Sequence, residues 1–186
     1  MKIITVSLFN LHNFGTLVQN YATNKYISSL GGYDTRVLNY CYLYDHKSLG
    51  MKRKLSAYRN DFMVKFLLFG RRLKFYIFAK SNIKLTRKYK TFDQIKNNPP
   101  EGDMYLVGSD QVWNKNIISN NQVYLLNWIK STVKMSYSSS IGEDDVDKDE
   151  AQRLRNALGD FKYISVRENT GKKKFLIESG LKMLST

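Results

Sequence analysis

A chain of 186 residues with 42% hydrophobic content buries one ordinary core, so one domain is expected. One cysteine, Cys41, and two histidines, His12 and His46, exclude an intramolecular disulfide and a cysteine-rich zinc site, and no metal ligands are assigned. The net charge of +14 is concentrated: residues 52–90 hold 13 basic residues and one acid, Asp61, a local balance of +12 that leaves +2 for the rest. Such a segment implies an anionic partner.

The opening apolar run, residues 3–9, is too short for a signal peptide and lacks a small-residue cleavage site. No stretch reaches the roughly 18 apolar residues of a membrane span. The cytoplasm is the expected compartment, with peripheral contact at the inner face of the membrane. The run itself predicts a buried strand. A helix is predicted from Gly15, on the rows Leu17–Tyr21 and Val18–Ala22–Tyr26–Leu30, and Gly31-Gly32 stops it. Residues 33–39 alternate into a second strand, completing a βαβ unit.

Residues 46–98 are predicted to form a basic helical insertion. Within them, residues 61–80 carry Phe62, Phe66, Leu67, Phe69, Leu73, Tyr76 and Ile77 among Lys65, Arg71, Arg72, Lys74 and Lys80. Gly70 argues against one continuous helix there. Apolar residues beside Lys65, Arg71, Arg72 and Lys74 suit an anionic membrane surface; the alternative is a stripe packed on the sheet with its charges solvated. Aromatics such as Phe75 lie among these cations, yet no nucleic-acid signature accompanies them, and nucleic acid is not the expected partner. Pro99-Pro100 ends the segment. Strands are then predicted at 104–107, 133–141 and 163–166. Helices are predicted at 149–158, after the acidic run 143–147, and at 170–179, closed by Gly180. The fold class is α/β: a Rossmann-like open parallel sheet flanked by helices.

In such a sheet, ligands bind at the carboxyl ends of the strands. Three loops there are chemically loaded. His12, Asn13 and Gly15, with Gln19 one turn on, offer a close backbone approach and helix-start N–H groups to an anion or a sugar hydroxyl. A tight turn shaped by Asn13 and Gly15 is the alternative. Neither a dinucleotide loop nor an ATP loop is present. The second loop packs Gly108, Ser109, Asp110, Gln111, Trp113 and Asn114 directly after a strand. Polar side chains beside an aromatic platform suit a carbohydrate, and Asp110 is placed to take a proton from an attacking hydroxyl. The alternative is Asp110 as a helix cap and Trp113 in the core. In the third, Arg167 suits a carboxylate or phosphate, or else pairs with Glu168 to lock the loop.

At these residues the chain resembles the bacterial polysaccharide pyruvyl transferase family. The pieces are His-Asn-Phe-Gly-Thr-Leu-Val-Gln at 12–19, Gly-Ser-Asp-Gln-Val-Trp-Asn at 108–114, Ser-Tyr-Ser-Ser-Ser-Ile-Gly at 136–142 and Ser-Val-Arg-Glu at 165–168. The resemblance implies one half of a two-domain, glycosyltransferase-B-like fold. It implies transfer of pyruvate from phosphoenolpyruvate, a donor substrate and not a cofactor, to sugar hydroxyls as a ketal in cell-surface or exopolysaccharide synthesis. It further implies a glycan acceptor, carried in some cases on a lipid. This half would form the acceptor side, with the family's second domain expected from a partner chain or a longer parent, and no turnover expected without it. The competing expectation is a non-catalytic module that binds glycan or a membrane surface.

Overall fold

The computed structural model describes residues 1–9, 13–40, 61–114, 122–142 and 148–167. Its frame is a four-stranded, all-parallel sheet in the order β2-β1-β3-β4. These strands are β1 (Lys2–Val6), β2 (Asp34–Val37), β3 (Met104–Gly108) and β4 (Val133–Tyr137). Single parallel bridges extend both edges: Val37–Leu85 and Tyr40–Tyr89 outside β2, and Met135–Tyr163 and Ser139–Val166 outside β4. The stretch expected as a strand at 163–166 is thus held by bridges alone. β4 is shorter than the expected 133–141 because Ser138 turns the chain with a left-handed φ of 51°.

Two cores form on the two sides of the sheet. Ile4, Val6, Tyr105 and Val107 point to the larger one and pack with Leu154 and Leu158 of α4 (Lys148–Leu158). The smaller one holds Leu17, Val37, Ala79 and Ile83, bringing together α1 (Phe14–Ser29) and α2 (Asp61–Asn82). Burial pushes the Tyr105 hydroxyl, which donates to Pro100 O, up to about 12.

α1 is helical where expected, and Gly31 and Gly32 end it with φ of 81° and 75°. Its buried face is only partly apolar: Leu17 is buried with Tyr21 packed beside it, as the row Leu17–Tyr21 predicts, but the row Val18–Ala22–Tyr26–Leu30 faces outward. Val18, Tyr26 and Leu30 are exposed, while Thr16, Asn20 and Asn24 are buried. The reason is hydrogen bonding to the sheet. Ser7 Oγ donates to Asn20 Oδ1 at 2.6 Å, Asn20 Nδ2 donates to Leu8 O at 3.0 Å, and Asn24 Nδ2 donates to Thr5 Oγ1 at 3.1 Å. Buried amides with these partners seat the helix closely on β1.

α2 runs unbroken through Gly70, against the expectation from sequence. A helical glycine costs about 1 kcal/mol, and packing against α1 outweighs it. Phe75 stacks on Phe14 at 5.7 Å, and Phe78 meets Tyr21 edge-on at 5.3 Å. A six-residue helix, α3 (Phe92–Asn97), also falls within the expected helical insertion; Thr91 caps it by accepting from Gln94 N. The expected helix at 170–179 and the acidic run 143–147 lie outside the described residues.

Candidate functional site

The strand order decides where a ligand fits. From β1 the chain moves outward to β2 on one side, and from β3 it moves outward to β4 on the other. The order therefore reverses between β1 and β3, and a crevice opens beyond their carboxyl ends. Val6 pairs with Val107, so the loops after β1 and β3 leave the sheet side by side.

On the β1 side, Asn13 caps α1. Its Oδ1 accepts from Gly15 N at 2.9 Å and Thr16 N at 3.4 Å. These two helix-start N–H groups, expected to be open to an anion, are already paired, and the turn-shaping alternative holds for Asn13. A Cβ on Gly15 would sit 3.3 Å from that same oxygen, so the glycine serves the cap. Gln19 is half-buried one turn on. His12 lies outside the described residues.

The loop after β3 bends at once. Ser109 has a φ of 31°, and its N–H donates to Tyr137 O at 2.9 Å. Asp110 is half-buried. Its Oδ1 accepts from Gln111 N at 2.8 Å, while its backbone oxygen accepts from Val112 N and Ser140 N. Among the described residues, Asp110 Oδ2 has no hydrogen-bond partner. One carboxylate oxygen is anchored and the other is open, an arrangement that lets it receive a proton without losing its place. Asn114 Nδ2 donates to Gln111 Oε1 at 3.1 Å.

Trp113 corrects the expectation of an aromatic platform. It is 2% exposed, and its Nε1 donates to Tyr124 O at 3.2 Å. A buried indole whose N–H is paired belongs to the core. Gly108 and Asn114 are buried as well, which leaves Ser109, Asp110 and Gln111 as the half-buried members of the loop.

The loop after β4 was missed as part of the site. Ser139 Oγ donates to Val107 O at 3.3 Å, and Trp113 N donates to Ser140 O at 3.2 Å, lacing this loop to the one holding Asp110. Gly142 closes it with a φ of 72°. A Cβ there would collide with Asn114 Nδ2 and lie 3.0 Å from Gln111 Oε1. No periodicity reveals such a contact; the one signal in the sequence was the serine run ending in Ile141-Gly142. Replacing Gly142 with alanine is expected to cost about 2 kcal/mol from strain and crowding together. Gly31→Ala is the control, since its φ is also left-handed but no described atom lies within 4 Å of the new methyl. Urea unfolding of both variants measures the difference, and equal losses would show that Gly142 makes no packing contribution.

Arg167 is exposed at the same end of the sheet, its N–H donating to Ser139 O at 3.0 Å. Glu168 lies outside the described residues, and so does any pairing with it. Lys74 is exposed on α2; Lys65, Arg71 and Arg72 lie on the same helix, their side chains outside those described. At the opposite, amino end of β2, Lys84 and Arg36 hold the Asp34 carboxyl below its ordinary range, chiefly through the Lys84 hydrogen bond at 2.8 Å. A cavity of about 670 Å³ lies away from the crevice, against α4. Its buried cation, Lys134, is bound to Asp160 at 2.5 Å, and the pair ties β4 to the turn after α4. Among the described residues, no group of three or more His, Cys, Asp or Glu side chains is placed to hold a metal ion.

An open parallel sheet, helices on both faces and polar loops at its switch point define a Rossmann-like α/β protein. The model of the polysaccharide pyruvyl transferase family matches residues 13–185, and the chain belongs to that family. No curated protein and no solved structure matches it.

Proposed function

We propose that this chain forms the acceptor side of an enzyme that moves pyruvate from phosphoenolpyruvate onto sugar hydroxyls as a ketal, in the synthesis of a cell-surface polysaccharide. The observation that carries the proposal is the position of Asp110, half-buried at the switch point, with one oxygen anchored by Gln111 N and the other without a partner among the described residues. Family membership supports the transferase class, and the location supports a ligand cleft.

In the overall reaction, two acceptor hydroxyls bond to the central carbon of the enolpyruvyl group and phosphate departs. One hydroxyl proton ends on the methylene carbon, which becomes a methyl, and the other leaves with phosphate. Asp110 takes the proton of an attacking hydroxyl, and Ser109 and Gln111 contact the sugar. Asn13, Gly15, Gly108 and Asn114 act from behind, by shaping the two loops. Arg167 faces a carboxylate or phosphate. The phosphoenolpyruvate wall comes from a second Rossmann-type domain, in the manner of glycosyltransferase-B folds. The test is phosphate release from phosphoenolpyruvate, with and without that second domain and with and without acceptor glycan. Release that requires both additions supports the proposal; acceptor-independent release, or none under any combination, overturns it.

A second reading adds a membrane contact, because α2 exposes Leu73, Tyr76 and Ile77 beside Lys74 and Lys80. A cavity of about 440 Å³ between α2 and the ends of β1 and β2 has the same character: Phe9, Ala79, Ile83 and Leu85 within, Lys80 and Lys88 at the rim. Among the described residues, no helix is long and apolar enough to cross a membrane. The contact would be peripheral and would bring the protein to an acceptor carried on a lipid.

A further inference from the structure

A sugar ring carries hydroxyls around its rim and C–H groups on its faces, so a site for it needs an apolar surface beside polar partners. With Trp113 in the core, that surface must come from elsewhere. Tyr137 is the last residue of β4 and is 56% exposed.

Its direction follows from the register. Val107 pairs with Ser136 and Gly108 with Tyr137, and partners on parallel strands point to the same face. Val107 belongs to the larger core, so Tyr137 lies on the opposite face, the one α1 covers. Ser7 comes one residue after the Val6–Val107 pair. Ser7, Gly108 and Tyr137 therefore form a row across three strands at the carboxyl edge. Two strand spacings, roughly 9.5 Å, separate the ends of that row. Its middle member has no side chain, and, its own chain neighbours aside, no described atom lies within 4 Å of where a Cβ would be.

The backbone of Tyr137 is also tied to the Asp110 loop. Tyr137 O accepts the N–H of Ser109, the residue just before Asp110. Ser109 and Ser138 both hold left-handed φ values that side chains rarely adopt, 31° and 51°. Strain of this kind persists where the surrounding structure fixes the backbone, and here it orients the ends of β3 and β4 against each other. Single exposed aromatics are common on protein surfaces. Tyr137 differs from Tyr26, exposed on the outer side of α1, by standing at the carboxyl edge of the sheet, on the strand next to β3, with its backbone one hydrogen bond from the Asp110 loop.

We propose that Tyr137 is the platform on which the acceptor's pyranose ring packs, presenting a hydroxyl toward Asp110. Its assignment to the acceptor rests on the transferase reading; the sugar contact itself does not. The test is saturation-transfer NMR on the full chain with methyl β-galactopyranoside, methyl β-glucopyranoside and methyl α-mannopyranoside. Saturation is expected to reach the ring C–H protons of at least one probe. Tyr137→Ala should weaken that binding about tenfold, Tyr137→Phe should keep it, and Tyr26→Ala should leave it unchanged. At an exposed position all three variants are expected to fold, which circular dichroism confirms. Unchanged binding in Tyr137→Ala, or no transfer to any probe from the unaltered chain, overturns the proposal. Failure of the transferase reading looks different: sugar contact through Tyr137 persists while phosphate release never depends on a glycan.

Discussion

Replacing Asp110 with asparagine is expected to lower acceptor-dependent phosphate release by about 10² to 10⁴-fold, the range for loss of a general base. The substitution is close to isosteric. An amide oxygen can still accept from Gln111 N, as Oδ1 does at 2.8 Å, so the loop should keep its shape. What disappears is the capacity of the open oxygen to take a proton. The effect should therefore fall on kcat with little change in KM for the glycan. Asp110→Ala should combine the same chemical loss with a loosened loop, since Gln111 N then lacks its partner. Unfolding measured in parallel separates the two: the asparagine variant should match the parent, and the alanine variant should lose about 1 kcal/mol. An asparagine variant with near-parental kcat would remove Asp110 from the chemistry and return it to turn formation.

Reach of the sequence varied along the chain, and the differences have physical causes. Strands β1, β2 and β3 were legible because each is a short apolar or alternating run between turn residues, and parallel strands buried on both faces require that pattern. The ends of α1 and the course of α4 were legible from Gly31-Gly32 and from the spacing of Leu154 and Leu158. Which face of α1 turns inward was legible only in part: the row Leu17–Tyr21 is inward, the row Val18–Ala22–Tyr26–Leu30 is not. Periodicity favours an apolar stripe, yet Asn24 finds a hydrogen-bond partner on β1 and Asn20 finds partners just after it, which only the assembled fold supplies. Gly70 misled because helix propensity is local, whereas the Phe75 and Phe78 contacts that hold α2 lie on another helix. The site divides the same way. Sequence order alone puts the loop at 108–114 after a strand, and so at the ligand edge. It could not show that Trp113 turns into the core, nor that Tyr137, on a different strand, is left exposed at the carboxyl edge of the sheet. Both outcomes depend on the pairing of β3 with β4.

Flotation with liposomes should show the chain binding vesicles that contain anionic lipid and ignoring neutral ones. Lys74 and Lys80 are exposed on α2, and Leu73, Tyr76 and Ile77 are exposed on the same helix. Apolar side chains can enter the interface while ammonium groups meet phosphates, each cation contributing about 1 kcal/mol near an anionic surface. Changing Lys74 and Lys80 together to glutamate removes two attractions and adds two repulsions, so binding should fall by at least about 30-fold. Raising the salt from 0.1 M to 0.5 M should weaken the parent's binding strongly, because the screening length shortens. Neither lysine has a carboxylate partner among the described residues, so the substitutions break no ion pair there and should leave stability within about 0.5 kcal/mol. Serine at Leu73, Tyr76 and Ile77 tests the apolar half: it should abolish the salt-resistant part of binding and leave the salt-sensitive part. Phe75, Phe78 and Ala79, which hold α2 against α1, stay untouched in every variant. If binding is indifferent to lipid charge, or survives both sets of substitutions, α2 faces something other than a membrane.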